Sequence, residues 1–445
     1  MRYLALIVAL LPATAAAQAG AIRFEQFTLP NGLRVVHSED HSTPIVSVDV
    51  WYNVGSRNER PGRSGFAHLF EHMMFQGSAN VKKAEHFQLV QRAGGDLNGS
   101  TAEDRTNYYE TVPSNRLNLA LWLEADRMRS LAITAENLEN QRQAVKEERR
   151  LGVDNRPYAR AFTDGLTWPF DSTSCFAYAH TVIGSMDDLD AAKLEDVQAF
   201  FDRYYAPNNA TLVVVGDYDP AELRKLVTDY FGGIPRQPDA PAVTCQSRLS
   251  PGAMRREVVD SQANLDAVLR FYRIPAHDDS DSPALAMLNL ILGQGESSRL
   301  NVSVVRRAKA ALGTGAFVNP SGPRRGTGTA VIFGIINQGV SVNRLDSLLA
   351  QQIDSIRQYG VSPEELNKAK NSFRSSFVQS RETTFGKAED LHHYLMFHRS
   401  IDEINTDLNQ YLAVTADDLK RVAGKYFDPA NALTVIVRPA SGGGQ

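Results

Sequence analysis

Two histidines four residues apart with a glutamate between them, His68-Leu69-Phe70-Glu71-His72, are the residues of this chain whose types and spacing point most directly to chemistry. On a helix, positions four apart share a face, so both imidazoles can grip one ion. The stretch from Phe66 to Phe75 holds no Gly or Pro, and Ser64 is placed to cap its start. Glu71 lies three residues after His68 and next to His72, so its carboxylate reaches the same space. Imidazole ligands suit zinc, and HxxEH is the inverted form of the HExxH arrangement. Two histidines leave room for one more protein ligand and a water, the open geometry of a catalytic site. The chemistry implied is metal-assisted hydrolysis with Glu71 as general base. Phe66, Leu69, Phe70, Met73 and Met74 make the rest of this helix apolar, and polar side chains set in such a helix need a partner.

A third ligand must come from elsewhere, and the helical stretch Asn137 to Leu151 offers two adjacent acids, Glu147 and Glu148. Glu148 shares a stripe with Ala144, Val145 and Leu151, whereas Glu147 sits beside Gln143 and Arg150. Periodicity favours Glu148 only modestly, and both acids stay open at this point. Other candidates carry less. His392, His393 and His398 have no standard ligand spacing and read as exposed helical residues. Gly293-Gln294-Gly295-Glu296 lacks the lysine of a phosphate loop and follows no strand.

The elements that must position these residues come in two sets. At 445 residues, with 43% hydrophobic and 22% charged residues, the chain is an ordered globular protein too long for one core. A net charge of -4 and the lack of a basic groove set nucleic acid aside. The segment Tyr204-Tyr205-Ala206-Pro207 through Val215 recurs 222 positions later as Tyr426-Phe427-Asp428-Pro429 through Val437, each running from a helix through a Pro turn into a β-branched strand. The chain is therefore a duplication, with halves at 20–231 and 256–440, a Pro/Gly-rich linker at 232–255, and a flexible tail at 441–445. Pro30-Asn31-Gly32 marks a hairpin, Ile45 to Val54 alternates as a half-buried strand, and helical patterns follow at 82–93, 115–129 and 136–152. Strands followed by helices, without βαβ alternation, predict two α+β sandwich halves, each a mainly antiparallel sheet covered by helices. The second half carries Pro283 to Gly293 in place of the metal helix, with neither His nor acid, so that copy cannot bind the ion and reads as a scaffold or substrate-holding half.

Met1-Arg2, the apolar run Leu4 to Pro12 and the small residues Ala13 to Ala19 have the layout of a signal peptide over 1–19, cut after Ala17 or Ala19. That predicts export to the periplasm, with secretion as the alternative, and no membrane segment afterwards. Cys175 and Cys245 are the two cysteines; neither belongs to a CxxC pair, and an oxidising compartment predicts a disulfide between them.

HxxEH with 75 residues between His72 and Glu148 resembles the pitrilysin/insulinase family of zinc metallopeptidases, in particular its short bacterial members and the zinc-bearing subunit of mitochondrial processing peptidase. The resemblance covers the whole mature chain. It implies a duplicated α+β fold, one zinc per chain, and hydrolysis of internal bonds in peptides or unfolded proteins. Gln141 to Glu148 matches the family's ligand stretch with Val145 three before the final acid, which selects Glu148 as the third ligand. Gln141 stands where the family has an acid, a departure that touches a supporting role only. Asn98, Gly99 and Ser100 fall in a segment that in the family forms a sheet edge to which substrate adds as a strand. Asp104, Thr106 and Tyr108 match the family's texture without an assignable role. The family also places an Arg and a Tyr in the second half. Arg306 or Arg307 could supply the first, but Leu312 to Phe317 holds no Tyr. Family chambers are built from two such shells, so a complete metal set with an incomplete Arg–Tyr set implies a heterodimer with a zinc-less paralogue; a homodimer is the alternative. Other readings are a non-catalytic peptide-capturing or assembly subunit of the same fold, and a zinc hydrolase of non-peptide amides.

Overall fold

A computed structural model describes residues 21–246 and 253–440. The expected signal peptide at 1–19, the tail at 441–445 and part of the linker lie outside them. Among the described residues, eleven strands form two sheets. In the first half these are β1 (Glu25–Thr28), β2 (Arg34–Glu39), β3 (Ile45–Tyr52), β4 (Asp96–Thr101), β5 (Thr106–Pro113) and β6 (Ala210–Gly216). The second half supplies β7 (Met254–Asp260), β8 (Ala267–Ile274), β9 (Ala311–Val318), β10 (Gly328–Ile336) and β11 (Leu433–Pro439).

The sheet orders are β1-β2-β6-β3-β5-β4 and β7-β11-β8-β10-β9. Without the extra β1 the two orders correspond strand for strand. Each has one parallel pair, β2 with β6 and β7 with β11, and is otherwise antiparallel. The repeated segments become β6 and β11, which hold equivalent interior places because both are β-branched and buried on both faces. One face of the first sheet carries the main core, where Val46, Val48, Val50 and Leu212 meet Leu69, Phe70 and Met73 of the motif helix.

The opposite faces are covered by exchange. The Thr384–Phe397 helix of the second half packs on β3 and β6, burying Ala388, Leu391 and Tyr394 against Val36, Val213 and Val215. In return the Ala159–Gly165 helix of the first half lies on the second sheet, with Ala161 and Leu166 against Leu269, Phe271 and Val435. Gly165 is required there, because a Cβ would meet the Phe271 ring at 2.2 Å. Each half thus buries a face that it cannot cover alone, which ties the two sheets together.

Candidate metal centre

The motif helix, Phe66–Met73, begins at Gly65, whose φ of 85° is left-handed. A Cβ at Gly65 would sit 2.8 Å from the Ile183 carbonyl oxygen, so glycine serves both the turn and the close approach. Ser64 does not cap this helix as the sequence suggested. Its N–H and Oγ–H donate to Asp188 at 2.9 and 2.5 Å, and the buried Glu59 carboxylate takes the cap instead, accepting from the Gly65 and Ala67 amides at 2.9 and 2.7 Å. A full negative charge at a helix N-terminus is favoured over a hydroxyl. Burial pushes the Glu59 carboxyl up, opposed by the amides and by His180, whose Nε2 is 2.9 Å away. The apolar side of the helix is anchored by Phe70, whose ring centroid lies 4.1 Å from that of Tyr205. That anchoring turns His68, Glu71 and His72 toward β4 and the Ala135–Arg149 helix.

There the two imidazoles meet one carboxylate. His68 Nε2 is 3.5 Å from Glu148 Oε1 and His72 Nε2 is 3.2 Å from Glu148 Oε2, with the two rings 4.9 Å apart. Ligand atoms that share a tetrahedral zinc at about 2.05 Å each lie about 3.3 Å apart. The donor set and its spacing fit zinc. His72 Nδ1 is 3.3 Å from Gln141 Oε1, so that Nδ1–H donates to the amide and Nε2 keeps its lone pair for a metal. Burial pushes the His68 imidazole down to about 4, which keeps it neutral as a ligand must be. When His72 also carries a proton on Nε2, its hydrogen bond holds the Glu148 carboxyl below its ordinary range, and a metal would displace that proton. Glu147, the competing acid, points away and pairs with Arg150 at 3.0 Å on the surface.

Glu71 is not part of that triangle. Its Oε2 accepts a hydrogen bond from Thr101 Oγ1 of β4 at 2.7 Å, and burial raises its pKa against the pull of Thr101 and His72. A carboxylate so raised is a better proton acceptor near neutral pH than a solvated one. β4 is an edge strand, paired on one side only, with β5. Gly99 passes close enough that a Cβ would stand 3.3 Å from Glu71 Cγ. Asn98 is exposed, its Oδ1 accepting the Gly99 amide at 2.9 Å, while Ser100 Oγ–H is turned to Asn107 Oδ1 at 2.6 Å. Asn98 is therefore a strand residue on the free edge, not a turn.

A cavity of about 410 Å³ joins these groups, lined by His68, Glu71, β4, Glu148 and the Ile183 segment, and closed from the second half by Ser321 and Arg324. Arg324 is buried and pairs with Glu103 at 2.5 Å. The sequence candidates for the family's arginine, Arg306 and Arg307, do not line this cavity. Both are exposed, and Arg306 pairs with Glu296 on the surface. Arg324 lies in a Pro/Gly turn without periodicity, so nothing local marked it. Thr101 gave no local signal either. β9 holds no Tyr. The structure joins Cys175 to Cys245, with 5.3 Å between Cα atoms. Among the described residues, no helix is long and apolar enough to cross a membrane.

An inverted-motif helix and a glutamate from a second helix, carried on one half of a duplicated α+β chain, define the class of two-repeat HxxEH proteins. Comparison with known proteins narrows that class. Residues 34–163 match the model of Insulinase (Peptidase family M16), and residues 191–373 match the Peptidase M16 inactive domain. The chain is 31% identical to the zinc protease PqqE of Helicobacter pylori over 95% of its own length and 94% of the relative's. It is 23% identical to a probable mitochondrial-processing peptidase subunit beta of Arabidopsis thaliana, over 92% of this chain and 77% of that one. A crystal structure of a protease from Helicobacter pylori superposes with a TM-score of 0.87 at 29% identity, covering 94% of this chain and all (100%) of the other. The periplasmic protease PqqL of Escherichia coli shares the fold, with a TM-score of 0.76 at 19% identity, and this chain spans 48% of its length. The chain belongs to the insulinase family of peptidases, family M16.

Proposed function

We propose that this protein is a zinc-dependent endopeptidase that hydrolyses internal bonds of peptides or unfolded proteins. The observation that carries this is the convergence of His68 Nε2, His72 Nε2 and Glu148 on one point with Glu71 beside it. Those three side chains would hold zinc, which would supply Lewis-acid chemistry toward the scissile carbonyl and the attacking water. Glu71 removes a proton from the attacking water and returns it to the departing amine, so no covalent intermediate forms. Thr101 holds Glu71 in place through its hydroxyl. The free edge of β4 at Asn98, Gly99 and Ser100 takes the substrate as an added strand, which reads backbone more than side chain and favours broad specificity. Arg324 and Ser321 bound the same cavity from the second half, which supplies none of the ligands of this site.

The chain acts in the periplasm after removal of residues 1–19 and works with a zinc-less paralogue. Two features support the pairing: β9 lacks the Tyr that the family uses, and PqqL is about twice as long as this chain. The test is metal analysis and a fluorogenic peptide assay on the purified chain, alone and with candidate paralogues. Zinc with activity that rises on adding a paralogue supports the proposal. Full activity from a homodimer, unchanged by any partner, removes the heterodimer; peptide binding without hydrolysis under every condition makes the chain a capturing subunit.

A further inference from the structure

The described residues contain two other groupings of metal-ligating side chains. One, His86 with Glu110 and Glu124, is fully buried and already holds a cation: Arg127 Nε donates to Glu124 at 3.0 Å and its guanidinium reaches Glu110 at 3.5 Å. The other has no such cation.

This second grouping joins His277, on the connection after β8, to His393 and His398 at the C-terminal end of the Thr384–Phe397 helix. The sequence placed His392, His393 and His398 on an exposed helix surface, and the structure corrects this. His392 is 1% exposed and stacks on Trp51 at 4.8 Å, and His393 and His398 turn inward toward His277. The three rings of His277, His393 and His398 are 4.8, 5.1 and 5.2 Å apart, and one nitrogen from each lies within 4.8 Å of the others. His398 Nε2 and His393 Nε2 are 3.2 Å apart, close to the about 3.3 Å that two nitrogens on one tetrahedral zinc adopt. His398 Nδ1 lies 3.2 Å from Glu403 Oε2, the carboxylate–histidine contact that fixes a ligating tautomer. His277 Nε2 is buried with no hydrogen-bond partner, so rotating this ring inward to close the set breaks nothing. A cavity of about 320 Å³, lined by His277, His393 and Asn289, gives an ion and a water ligand access to the cluster.

We infer that His277, His393 and His398 form a second metal site, taking a divalent transition ion that favours imidazole, zinc foremost, with water as its fourth ligand. The ion would join the β8 connection to the helix that crosses over to cover β3 and β6. The His277 amide also donates to the Arg324 carbonyl at 2.9 Å, so the clamp adjoins the turn that closes the peptidase cavity. Its role is to fix the crossing helix within its own half, and through that helix the contact with the first sheet, and it does not depend on the proposed hydrolysis.

The test uses untagged mature protein, stripped with chelator, reloaded with zinc, and measured by elemental analysis and thermal unfolding. Wild type should hold two zinc ions per chain; His72→Ala should hold one, as should His393→Ala; the double variant should hold none. His72→Ala should still gain thermal stability on adding zinc, and the double variant should not. His277→Gln, on a loop, replaces His393→Ala if the helix variant fails to fold. One ion in wild type, lost in His72→Ala, overturns the second site and leaves the proposed peptidase intact. One ion that survives His72→Ala and vanishes with His393→Ala supports the second site and contradicts the first.

Discussion

Replacing Gln141 by leucine removes the acceptor of His72 Nδ1–H and leaves the three ligand side chains untouched. The contact measures 3.3 Å, at the long end for a hydrogen bond between neutral groups. Outer partners of ligating histidines are worth 10–100-fold in metal affinity, and this length places Gln141→Leu at the low end, about tenfold or about 1.4 kcal/mol. Gln141→Glu should do the opposite, since a charged acceptor makes a stronger bond and a more basic imidazole, so zinc should bind more tightly than in wild type. The assay is competition against a chromogenic chelator of known zinc affinity, read by its absorbance. Thermal unfolding of the metal-free variants should stay near wild type, because Gln141 is only half-buried. Unchanged zinc affinity in Gln141→Leu would refute the orienting role. A loss far beyond a hundredfold would make Gln141 a ligand and the site a different one.

Reducing the Cys175–Cys245 bond opens a loop with a sequence separation of 70, and the chain-entropy relation gives a loss of about 4 kcal/mol, measurable by urea unfolding with and without reductant. Two alkylatable thiols in native protein without reductant would dismiss the bond. His392 is held neutral by burial, which pushes its pKa down to about 3, with Arg105 adding to the effect. The unfolded chain binds this proton from pH about 6.5 downward and the folded chain does not, so stability falls by about 1.4 kcal/mol per pH unit below that point. His392→Gln should flatten that part of the slope between about pH 6 and about pH 4, and an identical slope in both proteins would sink the assignment.

What is legible in the sequence is local. His68, Glu71 and His72 share one helical turn, so helical spacing alone brings them together, and the Tyr-Pro-strand repeat became β6 and β11 in matching places. Glu148 needed more than spacing, because both it and Glu147 sit on a charged helix; only the crossing of two helices separates the one that meets His72 from the one that meets Arg150. Ser64 reads as a cap by every local rule, yet Glu59 wins through a loop folded back on the helix. His277 lies far in sequence from His393, and no period relates a loop residue to a helix end. The exchange of covering helices was equally hidden, since an amphipathic pattern states that a face is buried but not which sheet buries it.

Glu71→Gln tests the central claim most directly, measured as zinc content and peptide turnover on the same preparation. The carboxamide keeps the shape and can still accept from Thr101, but it cannot take a proton from water. The prediction is wild-type zinc content with turnover reduced by at least about 10²–10⁴-fold. Turnover near wild type would show that Glu71 is not the base, and loss of zinc from His68, His72 and Glu148 would show that Glu71 belongs to the metal instead.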